Sequence, residues 1–289
     1  MIERWARRGV PVAVVLCAVV GIWYLAALGL NFPAAQALAG DGASAGALAH
    51  AAWSLDRPLL PAPHQIAQSV LSGMFGEPLN SPRSLLYHAG VTAATAALGF
   101  TLALVFGIGL AVGIVHVRTL DRSLMPWVIA SQTIPVLAIA PMVVVVLGNI
   151  GLTGVLPKAL IAGWLSFFPI TTAMVTGLRA PDRMQLDLMR TYNASGRDLF
   201  AKVRWPASMG FLFAGLKVAA TLAIVGAIVA ELPTGAQAGL GARLLAGSYY
   251  GQTLQIWAAL VAAALLTLLA VGAADAAQRI LIATRGGRL

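Results

Sequence analysis

The sequence predicts an all-α polytopic membrane protein whose chain crosses the bilayer six times. Of its 289 residues, 59% are apolar and only 10% are charged, and the mean hydropathy is +0.85. Soluble domains carry about 25% charged residues, so this composition excludes an ordinary soluble fold. Apolar runs of about 20 residues recur along the chain, and an α-helix of that length crosses a hydrocarbon core about 30 Å thick.

Six apolar runs reach this length. They cover residues 10–30, 89–115, 124–147, 157–178, 208–230 and 254–282. Prolines and glycines inside them fit membrane helices, because neighbouring helices can satisfy the backbone groups that a proline frees. The first run is too long for a simple signal peptide and lacks a small-residue cleavage site. The single cysteine, Cys17, lies in this run, so we expect a packing role for it and no internal disulfide.

Basic residues predict which side of the membrane each segment faces. Fourteen Lys and Arg residues lie at the two ends, after the second run and between the fourth and fifth runs, whereas only four lie on the opposite side. Because Lys and Arg favour the cytoplasmic side, both termini are predicted to be cytoplasmic. The net charge of +9 is then explained by the basic residues on the cytoplasmic side, which also favour contact with anionic lipid. Nucleic-acid binding is not expected.

The longest segment outside the runs, residues 31–88, is predicted to lie on the outer side of the membrane. Within it, Ile66, Val70, Leu71 and Met74 recur at helical spacing. This pattern predicts a short amphipathic helix at the outer interface.

The residues that an enzyme or a metal site would need are missing. The four histidines are scattered, and no two of them are four residues apart on one helix face, which argues against a metal site. Ser248 follows a glycine, but the last two runs hold no histidine that could activate its hydroxyl. The stretch before Lys217 misplaces the lysine of a phosphate-binding loop and lies inside a run. We therefore expect no catalytic, cofactor-binding or metal-binding residue, and no ATP bound by this chain.

A polar, helix-forming segment, residues 186–206, separates the fourth and fifth runs. Asn193-Ala194-Ser195-Gly196 supplies turn and N-cap chemistry, and asparagine tolerates a left-handed backbone better than most residues. A second short helix is predicted over residues 197–203, and Trp205-Pro206 is predicted to end it. An ordinary amphipathic loop that lies on the membrane surface remains the alternative.

Four positions in this segment have a specific spacing. Asn193 follows Asp187 by six positions, Val203 follows ten positions later, and then comes Pro206. The segment resembles the EAA loop of bacterial ABC importer permeases, which is written E-A-A-x-x-x-G, then nine residues, then I-x-L-P. Here Asp187 replaces the glutamate, Asn193 replaces the glycine, and two bulkier residues replace the alanines.

The resemblance extends over residues 60 to 281. Residues 213–219, 229–231, 238–241 and 60–63 are similar to permeases of the nitrate, sulfonate and taurine type, which also includes importers of pyrimidine precursors of thiamine. It implies a type I ABC importer permease with 1–84 as the first transmembrane helix and an external loop that carries the interfacial helix. Residues 85–283 would form the permease core with a coupling loop at 182–207, and 284–289 a cytoplasmic tail.

The resemblance also implies a mechanism without chemistry in this chain. Two permease copies, expected to be a homodimer, would form the pathway. A cytoplasmic ATPase would bind ATP and Mg²⁺, and an external solute-binding protein would deliver a small polar solute. Closure of the ATPases would rock the spans between inward-facing and outward-facing states. The residues implied in ATPase coupling are Asp187, Arg190, Asn193, Ala194, Ser195, Gly196, Leu199, Phe200, Val203 and Pro206.

Polar residues inside the runs are candidates for the pathway or a gate. They are Gln132, Thr133, Ser166, Lys217 and Glu231. Such residues more often form hydrogen bonds between helices than contact a substrate. Lys217 lies about 14 Å deep and Glu231 about 21 Å further along a straight helix, so pairing or snorkelling is expected for Lys217 and a gate or loop anchor at the outer mouth for Glu231. Asp275 is expected to have a cap or interfacial role.

Two other classes of function remain open. A secondary transporter is disfavoured because the runs hold no chain of intramembrane acids for ion coupling. An intramembrane enzyme ranks third, since its catalytic residues are missing.

Overall fold

The protein is helical throughout the part of the chain that the structure describes. The computed structural model describes residues 2–40, 42–232 and 236–284, which form twelve α-helices and no β-strand. Gly235 and all but the first residue of the predicted tail at 284–289 lie outside them. Contacts divide the chain into one unit of Met1–Tyr87 with Arg243–Ala262 and a second unit of His88–Ala242 with Ala263–Leu289.

The first unit is built around the C-terminal end of a long helix. Its helices are α1 (Ile2–Ala39), α2 (Ala45–Trp53) and α3 (Pro63–Phe75), followed later in the chain by most of α11 (Leu240–Tyr249) and the start of α12 (Thr253–Thr284). Asn31 of α1 is fully buried, and its Nδ2 donates to the carbonyl oxygens of Ala52 and Leu60 at 3.1 and 2.9 Å. These bonds tie α1 to the segment that follows it.

The amphipathic helix predicted in the outer segment is α3. Ile66 and Val70 are buried, whereas Leu71 is exposed. Helix α2 is an addition that the sequence analysis missed, because its Ala-rich sequence has no marked apolar face. Its start is capped by Ser44, whose Oγ accepts a hydrogen bond from the Ala47 N–H at 3.3 Å.

The core of the second unit lies between three long helices. They are α4 (Leu85–His116), α7 (Val155–Arg179) and α10 (Trp205–Glu231). Ile170, Met174 and Leu178 of α7 are fully buried in this core. Glycines allow the backbones to approach closely: a Cβ on Gly177 would lie 2.7 Å from Ser208 Cα. Small residues at such crossings are typical of packed membrane helices.

The third apolar run is broken, so the continuous helix predicted over 124–147 is wrong. Helix α5 (Arg118–Ala130) continues into one 3₁₀ turn (Ser131–Thr133), and α6 (Val136–Asn149) leaves at an angle of 103°. Ile134, the residue before Pro135, is extended, with φ −78° and ψ 120°. The proline ring disfavours the helical conformation of the preceding residue, and proline itself donates no backbone hydrogen bond.

The described helices account for the six predicted crossings. Five of them are long and apolar enough to span a membrane, and the bent pair of α5 and α6 makes a sixth if it is counted as one span. The five are Gly9–Ala39, Leu85–His116, Val155–Arg179, Gly196–Glu231 and Thr253–Thr284. The chain is therefore a multi-pass membrane protein.

The predicted end of a helix at Trp205-Pro206 is wrong. After α8 (Arg183–Thr191), the chain forms α9 (Gly196–Leu199), a π-helical turn (Phe200–Arg204) and then α10 without a break. The Trp205 N–H bonds to the Phe200 carbonyl five residues back. This wider turn accommodates Pro206, which offers no N–H, in the first turn of α10.

Candidate coupling loop and transport pathway

Helix α8 presents an apolar stripe that is left exposed by the residues that the structure describes. Asp182 caps its start, because its Oδ1 accepts a hydrogen bond from the Gln185 N–H at 2.8 Å. Met184, Leu188 and Tyr192 follow one another at intervals of four, and their exposures are 80%, 55% and 75%. Residues at this spacing share one helix face. None of these three residues is among the coupling residues that the sequence resemblance implies.

A left-handed turn at Asn193 ends α8. Its φ is +48°, the only positive φ of a non-glycine residue in the described parts of the chain. The Asn193 N–H bonds to the Arg190 carbonyl at 2.9 Å, and the Ala194 N–H bonds to the Met189 carbonyl at 3.0 Å. This pair of bonds is the Schellman arrangement that closes a helix C-terminus. The turn predicted for Asn193 is therefore present, and it satisfies the last carbonyls of α8.

Ser195 starts the next helix, as the sequence predicts. Its Oγ accepts a hydrogen bond from the Asp198 N–H at 3.2 Å and donates to Asp198 Oδ2 at 2.6 Å. Asp198 also pairs with Lys202 at 2.7 Å. The two caps at 193 and 195 leave only Ala194 between the helices, so the reversal is short and well defined.

Among the remaining coupling residues, some side chains are exposed to solvent and others pack against this chain. Asp187 and Arg190 form an exposed ion pair with a 2.8 Å separation, which adds little stability and stays open to a partner. Phe200 instead points into this chain, where its ring lies 5.3 Å from His116 and 5.7 Å from Trp205. Leu199 and Val203 are half-buried beside it. The Leu199/Phe200 face thus helps to hold this segment against the end of α4 and the start of α10.

Glu231 lies buried at the end of α10 and holds the loop that follows. The Thr92 hydroxyl lies 2.9 and 3.0 Å from its two carboxylate oxygens, and the Gly241 N–H donates to Oε2 at 2.8 Å. Thr92 Oγ1 also accepts a hydrogen bond from the Leu240 N–H at 2.8 Å. The Gly239 N–H donates to His88 Nδ1 at 3.0 Å. Thr92 and His88 were not identified from the sequence as partners of this loop.

Lys217 pairs with Asp275, which places an ion pair between α10 and α12 within the second unit. Pairing was one of the two roles expected for Lys217. Asp275 supplies the partner, a role that was not expected for it from the sequence. A charge within a membrane span is costly when it is alone, and pairing reduces that cost.

The other pathway candidates differ in accessibility. Ser166 is fully buried, and its hydroxyl lies 2.8 Å from the Ala162 carbonyl and 3.1 Å from the Ala219 carbonyl, so it joins α7 to α10. Gln132 and Thr133 are exposed at the break between α5 and α6. Thr133 lines a cavity of about 740 Å³ bounded by α4, α5, the 3₁₀ turn and α7. Within the described residues, no three His, Cys, Asp or Glu side chains are grouped closely enough to hold a metal ion.

Comparison with known proteins identifies the family. Residues 80–285 match the binding-protein-dependent transport system inner membrane component. The chain belongs to this family. The matched region begins just before α4 and includes the complete segment from α8 to α10, whereas α1 to α3 lie before it.

Individual relatives agree with this assignment. A probable ABC transporter permease of Haemophilus influenzae is 34% identical over 65% of this chain and 75% of its own length. The formylaminopyrimidine transport permease of Halalkalibacterium halodurans is 34% identical, over 63% and 68% of the two chains. The riboflavin transport system permease of Chloroflexus aurantiacus is 32% identical, over 78% and 80%. The protein is therefore a transmembrane permease subunit of an ABC importer, which confirms the family, fold class and function predicted from the sequence.

Proposed function

We propose that this permease couples a cytoplasmic ATPase to alternating access through α8 and the turn at Asn193. The partner ATPase binds ATP and Mg²⁺, an external solute-binding protein supplies the solute, and two copies of this chain form the pathway. Both termini lie in the cytoplasm. The single observation that carries the proposal is the exposed apolar stripe of Met184, Leu188 and Tyr192 on a short, well-capped helix.

The stripe supports docking of a protein partner. When a partner covers an apolar side chain that was exposed to water, binding is favoured by about 25 cal/mol per Å² of apolar surface buried. Binding interfaces concentrate their free energy in a few such side chains, and a tyrosine is a frequent member. The Asp187–Arg190 pair beside the stripe supplies polar groups that a partner can contact.

The continuous helix that follows the turn supports transmission of movement. Gly196 to Glu231 is one helix of 36 residues, interrupted only by the π turn. Phe200 packs against His116 at the inner end of α4, and Arg179 at the end of α7 pairs with Asp121 of α5 at 2.9 Å. A displacement of α8 is thereby passed to several spans together, as a rigid-body transition requires.

The substrate class follows from the family and the relatives. Permeases of formylaminopyrimidine and riboflavin systems are among the relatives, and the sequence resembles permeases of the nitrate, sulfonate and taurine type. We propose that the importer carries a small polar solute from within this range.

Co-purification with the ATPase and ATP-dependent uptake test the coupling role. Leu188→Gln places an amide in the proposed contact and should reduce both ATPase recovery and uptake at least tenfold. Arg183→Gln changes an exposed residue on the opposite face of α8 and is the matched control, which should behave like the unmodified protein. Normal ATPase recovery with Leu188→Gln would show that the stripe does not dock the ATPase. Uptake that follows an ion gradient without ATP would favour the secondary transporter instead.

A further inference from the structure

We infer that the cavity beside the α5–α6 break receives the solute during transport, and that this solute is a planar aromatic ring carrying N–H donors. The inference rests on the proposed function and narrows its substrate range. It favours compounds of the pyrimidine or flavin kind over nitrate, sulfonate or taurine.

The break between α5 and α6 argues that protein or water, and not lipid, covers this side of the cavity. Helix α6 has 14 residues and rises about 21 Å, less than a hydrocarbon core about 30 Å thick, so the break lies within that core when α5 and α6 are counted as one span. Interrupted backbone at such depth is tolerated only where protein or water covers it. Discontinuous helices of this kind are also where transporters hold their substrates.

The lining of the cavity is aromatic and uncharged. Trp127, Trp164, Phe106 and Phe167 contribute rings, and the Phe167 ring lies 5.6 Å from Trp164 and 5.9 Å from Phe106. None of the fifteen lining residues carries a charge. A sulfonate or nitrate would lose its hydration here without a cation to replace it, whereas a flat ring can stack on indole and phenyl faces.

Two hydroxyls give the cavity its polar edge. Ser131 Oγ donates to the Val128 carbonyl at 2.7 Å, and Thr133 Oγ1 donates to the Ala130 carbonyl at 2.8 Å. Their hydrogens are used by their own helix, so their oxygen lone pairs are left to accept hydrogen bonds. Ring N–H and amino groups are the matching donors. The volume of about 740 Å³ is in the range of sites that enclose small organic molecules.

Uptake by the complete importer, reconstituted with its ATPase and solute-binding protein, tests the inference. The probes are radiolabelled formylaminopyrimidine, riboflavin and taurine. We expect ATP-dependent uptake of at least one aromatic probe and none of taurine. Trp164→Leu should lower that uptake at least fivefold while ATPase recovery stays normal. Phe211→Leu, which changes an exposed aromatic residue of α10 outside the cavity, is the matched control.

Thiol labelling provides an independent measurement of the site. In a Cys17→Ser background, a cysteine at Thr133 should react with a small water-soluble reagent, and the transported aromatic probe should slow this reaction. Uptake of taurine alone, or unchanged aromatic uptake with Trp164→Leu, would overturn the inference. Disulfide-linked dimers through position 133 without labelling would also overturn it, since a second copy would then cover the cavity. If the ATPase fails to co-purify with the unmodified chain, the proposed function itself fails.

Discussion

The Thr92 hydroxyl lies 2.9 Å from Glu231 Oε1 and 3.0 Å from Oε2, in a buried contact between residues 139 positions apart. The same hydroxyl oxygen accepts the Leu240 N–H, and the carboxylate accepts the Gly241 N–H. One threonine thus links α4 both to the end of α10 and to the start of α11. Side chains of α4 and α10 therefore hold the backbone where the chain enters α11.

Replacing Thr92 should destabilise the protein more than replacing its neighbour Thr95. Thr92→Ala leaves a buried carboxylate oxygen and a backbone N–H without this partner, at a cost of about 1–3 kcal/mol each. Thr95 is equally buried but donates only to the Val91 carbonyl of its own helix, so Thr95→Ala is the matched control. Thermal unfolding in detergent measures the difference. Equal melting temperatures for the two variants would mean that the Thr92 contact does not stabilise the fold.

The turn at Asn193 predicts opposite effects for two substitutions. Asn193→Gly should be neutral or mildly stabilising, since glycine adopts the observed φ of +48° without a steric penalty. Asn193→Val should cost about 1–2 kcal/mol, because its branched side chain clashes in the left-handed region. The measurement is the amount of ATPase that co-purifies with each tagged variant. Equal recovery with glycine and valine would contradict a role of this turn in docking.

The Lys217–Asp275 pair predicts that a double substitution is milder than either single one. Lys217→Met or Asp275→Leu alone leaves an unpaired charge within a span, which should lower the stability of the fold. Both together remove both charges and should recover most of the loss. Yield of folded protein and melting temperature provide the readout, with the coupling taken from the double-mutant cycle. Additive losses would show that the two charges do not support each other in the membrane.

The basic residues predict a topology that reporter fusions can check. A reporter that is active only outside the cytoplasm should be active when it is fused after Arg83 and inactive when it is fused after Lys202. A reporter that is active only in the cytoplasm should give the opposite result. Fusions at both termini should also report the cytoplasm, since Lys and Arg favour that side. Reporters after positions 83 and 202 on the same side would contradict the six-crossing arrangement, including the treatment of α5 and α6 as one span.

Several features were predictable because they depend on a short stretch of sequence. A run of about 20 apolar residues is enough to define a crossing, whatever it packs against. The turn at Asn193 is equally local, because it needs one residue that tolerates positive φ and a cap at Ser195. The motif spacing from Asp187 to Pro206 also lies within one segment, and the family comparison confirmed the function that it implied.

The interactions between helices were decided only by the tertiary structure. Which face of α12 meets Lys217, and which threonine of α4 meets Glu231, depends on the rotation of each helix about its axis. Apolar periodicity leaves that rotation undetermined when nearly the whole helix surface is apolar. The effects of Pro135 and Pro206 on their helices also depend on the surrounding structure: the chain bends sharply at Pro135 but continues as a helix through Pro206. A proline frees backbone groups in both places, but the neighbouring structure decides whether a break or a wider turn accommodates it.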